Sequence, residues 1–167
     1  MRRLAAALCL LFALGCDRAP SPAAAPSPDD VALREVAAVH GGAGPWAVLG
    51  YRMGRYALGE LGLSRHSFQL EVVHRSPRAV QFTCIADGAS AATGASSGKL
   101  NLTLEPADEA SVVTLYKNKQ SGKELALRPA AAFVTRFKDV PRERLAEAGR
   151  QVLALPDAEL FEAVPAR

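Results

Sequence analysis

Cysteine is scarce in this chain, with three in 167 residues, and aromatic side chains make up only 6%. No excess of one charge is present either. The formal net charge is +3, and Arg2 and Arg3 supply two of those charges, leaving +1 for the remainder. With no dense Lys/Arg patch interleaved with aromatics, nucleic-acid binding is excluded. The uninterrupted apolar run at residues 4–14 has eleven members. A helix needs about 20 apolar residues to span the hydrocarbon core, so this run is too short for that. The whole chain, 49% hydrophobic and 22% charged, has the composition of one globular domain with accessory segments.

The first residues read as a targeting unit. Arg2 and Arg3 precede the apolar run, which has the size of a signal-peptide h-region. Ala13-Leu14-Gly15-Cys16 then resembles a bacterial lipobox, although Ala13 stands where a larger aliphatic residue is usual. Residues 1–15 are therefore expected to be a lipoprotein signal peptide and Cys16 the lipidated residue. Residues 16–30 are expected to form a Pro/Ala-rich linker, because Pro20, Pro22, Pro26 and Pro28 sit among small and polar side chains that cannot bury a core. The expected place is the cell envelope, lipid-anchored and facing the periplasm, with the membrane as a partner through several acyl chains. Cys9 leaves with the leader. Cys84 is then the one free thiol of residues 31–167, and an intramolecular disulfide is not expected.

Residues 31–167 read as α+β, a single small domain with an antiparallel sheet packed by helices. Asp29 and Asp30 are N-cap candidates for a helix ending at His40-Gly41-Gly42. Pro45 can open a second helix that stops at Gly62. Gly50 and Gly54 lie four apart on one face of it, and close packing against a strand is expected there. Residues 68–74 and 100–104 alternate as strands, with a small, Ala-rich helix at 83–92 between them. Residues 112–116 and 124–127 flank a hairpin turn containing Gly122. Helices are expected at 130–138 and 141–155, then a turn at 158–161. No repeated βαβ pattern is visible, which favours α+β.

Two blocks carry a resemblance. His40-Gly41, Pro45 and Leu49-Gly50-Tyr51-Arg52-Met53-Gly54 form the first. Cys84-Ile85-Ala86-Asp87 with Thr93-Gly94 and Gly98-Lys99-Leu100-Asn101 form the second. In that order they resemble the FmdE family, named for a component of formylmethanofuran dehydrogenase. Its opening motif is His-Gly-His-x-Cys-Pro, and its second is Cys-x-x-Asp-Ala followed by Thr-Gly-Cys-Thr-x-Gly-Lys-x-Asn. The resemblance spans roughly residues 30–163.

The departures bear on function. The family's second histidine is Gly42 here, its motif cysteine is Gly44 and its downstream cysteine is Ala95. Its His/Cys cluster implies a metal, zinc by ligand type. The inherited ligands left here are too few, and no cysteine follows Cys84 to build the cysteine-rich finger of many members. No cofactor is expected, zinc being the ion to consider if His66, His74 or a second copy of the chain in a homodimer supplied replacement ligands. His40, Cys84, Asp87 and Lys99 remain as pocket candidates, with no catalytic or metal role assigned. The reading is a non-enzymatic, lipid-anchored ligand-binding or accessory domain with an eroded metal site. The alternatives are a Cys/His-dependent enzyme or redox protein and a metal binder with replacement ligands.

Overall fold

A computed structural model describes residues 25–166. Cys16, the expected signal peptide and most of the expected linker lie outside the described residues. The first helix, α1, spans Pro28–His40 and so begins inside the stretch expected to be linker. Ser27, rather than Asp29 or Asp30, caps it. Its side chain accepts from the Asp30 backbone N–H at 3.1 Å, and Pro28 takes the first turn, where a missing N–H does no harm. Asp29 and Asp30 then sit in that first turn, a favourable place for negative charge.

Helix α2 (Pro45–Leu61) and helix α3 (Val80–Thr93) lie against each other and against a five-stranded sheet. The strands are β1 (Leu70–Ser76), β2 (Leu102–Pro106), β3 (Val113–Asn118), β4 (Glu124–Pro129) and β5 (Phe161–Val164). Their order is β2-β1-β3-β4-β5. Pairs β1–β3, β3–β4 and β4–β5 are antiparallel. The β1–β2 pair is parallel, with Val72 opposite Leu102. The expectation of an antiparallel sheet is corrected accordingly: the fold is α+β with a mixed sheet. The reason is the connection, since α3 carries the chain back across the sheet and a helical crossover returns the next strand in the same direction.

The glycines of α2 explain the contact with α3 and correct a second expectation. A Cβ at Gly50 would stand 2.0 Å from the Ile85 carbonyl oxygen, and one at Gly88 would stand 1.8 Å from that of Ala47. The close neighbour is thus a helix rather than a strand. Buried alanines of α3, among them Ala86, Ala89 and Ala92, complete the tight face. The core continues through Trp46, which meets Phe82 and Phe133 edge-on at 5.2 and 5.0 Å and donates its indole N–H to the Phe137 carbonyl.

The C-terminal part holds α4 (Ala131–Phe137), α5 (Leu145–Ala154) and the short α6 (Asp157–Leu160). The helix expected from Pro141 starts instead as a 3-10 turn at Arg142–Arg144. Beyond α6 the chain does not simply turn. Phe161–Val164 pairs with β4 and closes that edge of the sheet.

Candidate functional site

Helices α1 and α3 build the site. Gly41 ends α1 in the left-handed region, φ 83°, and its N–H reaches back to the Ala37 carbonyl. That conformation suits glycine, and it leaves His40 as the last helical residue. Leu33 and Val36 bury the inner face of α1, and the helix packs on α3. On α3, Cys84 lies in the second turn and Asp87 one turn further, a spacing of three that puts both on one face.

The His40 ring lies between them. Its Nδ1 is 2.8 Å from Asp87 Oδ2, and its Nε2 is 3.3 Å from Cys84 Sγ. Asp87 accepts only, so Nδ1 carries the proton and donates to the carboxylate. Nε2 then offers its lone pair to the Cys84 S–H. The side chains of His40 and Asp87 are 25% and 50% exposed, while Cys84 is buried. Burial pushes the Cys84 thiol up to about 11, and the Asp87 charge adds to this. At neutral pH Cys84 therefore stands as the thiol, with the imidazole between it and Asp87. A nucleophile, a base and a group that orients the base stand in line, with the nucleophile in its protonated form.

The same geometry limits metal binding. The two ring nitrogens point in opposite directions, so Cys84 and Asp87 sit at opposite ends of the imidazole. An ion at Nε2 and Sγ would have two protein ligands, with Asp87 behind the ring. Among the described residues no group of three or more His, Cys, Asp or Glu is placed to hold a metal ion. Cys84 is a free thiol.

The family model described as FmdE, Molybdenum formylmethanofuran dehydrogenase operon, matches residues 39–162. The chain belongs to the FmdE family. No curated protein matches it. The match begins one residue before His40 and contains the whole row.

The FmdE site is degenerate here, and the structure locates each departure. Gly42 and Gly44 lie just beyond His40. A Cβ at Gly42 meets nothing within 4 Å, and one at Gly44 meets only Leu145 at 3.8 Å. Both ligand positions are lost with the space for them still open. Ala95 differs. It follows Gly94 past the far end of α3, whose last residue Thr93 is nine residues from Cys84, or about 14 Å along the helix. A cysteine there would not reach His40, so its loss takes no ligand from this site.

Lys99 is likewise not brought to the row. It sits in the turn after α3, where its ammonium donates to the Gly94 carbonyl at 2.7 Å and lies over the Phe68 ring. His66 is at the same far end, its N–H bonded to the Thr93 carbonyl. His74 is fully buried, with Nε2 donating to the Phe82 carbonyl and Nδ1 accepting from Thr114. Neither histidine of this chain replaces a lost ligand near Cys84. A groove of about 560 Å³ opens at the ends of β1 and β2, lined by Pro77, Arg78, Val80, Thr83 and Leu104 among others. Thr83 adjoins Cys84 in sequence, but His40, Cys84 and Asp87 do not line that groove.

Proposed function

We propose that this FmdE-family protein is held in the cell envelope by a lipid on Cys16, faces the periplasm, and acts as a non-enzymatic ligand-binding or accessory protein centred on His40, Cys84 and Asp87. The observation that carries the reading is the row itself, with Sγ 3.3 Å from Nε2 and Nδ1 2.8 Å from Asp87. Each ring nitrogen is committed, and burial favours the protonated thiol. Such a centre offers the half-exposed Asp87 carboxylate, held in place by the His40 ring, to a small polar ligand that enters beside Gly41 and Gly42. Neither glycine fills the space next to it.

The anchor and the centre are tested separately. Changing Cys16→Ser is expected to release the domain from membranes, and identical partitioning of parent and variant would contradict the anchor. For the centre, native mass spectrometry of the full chain purified from membranes is expected to show a retained small molecule that His40→Ala loses. Spectra without a retained molecule in either protein would contradict the binding reading.

The in-line geometry favours a second reading, a thiol-dependent enzyme in which His40 takes the Cys84 proton. That role requires the thiolate to be reachable near neutral pH, and the reactivity of Cys84 decides between the two. A metal-binding role would need ligands from a second copy of the chain.

A further inference from the structure

Three loops meet at one end of the domain. The α2–β1 connection, the α3–β2 connection and the β3–β4 turn all lie there, because β1 and β2 start at that end and β3 finishes there. Hydrogen bonds tie the three together: Lys119 N–H to the Gln69 carbonyl, His66 N–H to the Thr93 carbonyl, and the Asn101 amide to the Leu70 carbonyl. Residues 62–69, 94–101 and 119–123 contain Arg65, Lys99, Lys119 and Lys123 and not one carboxylate. Arg65 and Lys123 face Glu35 and Glu60 on neighbouring helices. Among the described residues, Lys99 and Lys119 have no carboxylate partner.

Large apolar side chains project from the same loops. Leu100 is 90% exposed and Phe68 is 69% exposed. Leu100 also adopts φ 55°, and His66 φ 67°, in the left-handed region that side-chain-bearing residues seldom occupy. Strain that holds a leucine out in water serves presentation rather than the core. Lys99 stands 5.3 Å over the Phe68 ring, so a cation and an apolar side chain are offered side by side.

We infer that this end docks on a bilayer surface that carries anionic lipid, with Phe68 and Leu100 entering the acyl boundary and Lys99 and Lys119 meeting the headgroups. The occupant follows from charge complementarity: lysines without carboxylate partners around apolar projections match an anionic interface. The inference rests on the lipid anchor only for bringing the domain to a membrane. Docking would fix which way the His40–Cys84 row faces.

The test uses the full chain in vesicles of phosphatidylcholine with and without phosphatidylglycerol, and Phe68→Trp as reporter. The buried Trp46 supplies a constant background. Expected is a blue shift of the added emission, with quenching by brominated lipid, in the anionic vesicles. Both are lost in Lys99→Glu/Lys119→Glu and reduced in Leu100→Ser, with circular dichroism unchanged. A protein that floats with the vesicles but keeps water-like emission overturns docking and leaves the anchor standing. If the protein does not float, the anchor reading falls, and the emission of the unanchored chain mixed with the same vesicles decides docking alone. An equal shift in both vesicle types overturns the anionic assignment. A shift that grows with protein concentration without vesicles shows a second copy on this surface and overturns the lipid one.

Discussion

His40 and Cys84 are 44 residues apart in sequence, yet Nε2 and Sγ are 3.3 Å apart. The contact exists because α1 ends where the second turn of α3 passes, and Gly41 stops α1 at that residue. Asp87 on the same face of α3 then holds the ring from behind. The helix pair that makes this possible depends on the face where α3 meets α2.

That face gives the first prediction. In Gly88→Ala the new Cβ would meet the Ala47 oxygen at 1.8 Å and the Tyr51 nitrogen at 2.7 Å, both backbone atoms. Helix propensity alone would favour alanine by about 1 kcal/mol. The clash outweighs it, and a net loss of about 2 to 4 kcal/mol is expected, in the range of overpacked or strained interiors. Gly59→Ala, in α2 with nothing within 4 Å of its Cβ, is expected to be neutral or to gain up to about 1 kcal/mol. Urea unfolding of the two variants checks the contrast.

His74 sets a pH window for stability. Burial lowers it to about 4 from an ordinary 6.5, against a smaller opposing effect of its bond to Phe82. Above about 6.5 the histidine is neutral in both folded and unfolded chains, and this contribution is fully present. As pH falls from 6.5 to 4 the unfolded chain takes up the proton while the folded chain does not. Stability should drop by about 3 kcal/mol across that window. Melting temperature against pH measures it, and the slope should flatten in His74→Gln.

The open space at Gly42 and Gly44 supports a reconstruction. Gly42→His with Gly44→Cys restores the two family ligand types in the segment that follows His40, without a close contact at either Cβ. The double variant is expected to retain zinc and to melt lower with a chelator, while the parent melts alike with and without one. Metal analysis with paired melts checks both. A chelator effect on the parent would reveal ligands beyond this chain's row.

Much of the architecture was legible in the sequence. Pro45 and Gly62 bracket α2 as read, because proline at the first turn and glycine after the last are backbone requirements that a local window contains. The parallel β1–β2 pair was not legible, since strand direction depends on the path of α3. Phe161–Val164 escaped because four residues give no periodicity and their partner, β4, is distant. At the site, motif resemblance singled out His40, Cys84 and Asp87. Lys99 came with them from the same motif, and only the length of α3 shows that it belongs to the other end. The in-line order of thiol, imidazole and carboxylate depends on how α1 crosses α3, which no spacing within one segment encodes.

The reactivity of Cys84 tests the central claim most directly. Alkylation by iodoacetamide should be followed from pH 6 to 11 in the parent, His40→Ala and Asp87→Asn. Because burial holds the thiol up to about 11 from 9, its thiolate fraction near pH 7 is about 100-fold below that of an ordinary cysteine. Expected are slow alkylation at neutral pH, a rate that climbs towards pH 11, an earlier climb in Asp87→Asn, and no large change at pH 7 in His40→Ala. Rapid alkylation of the parent at pH 7 that collapses in His40→Ala would contradict the protonated row and establish Cys84 as an imidazole-activated nucleophile.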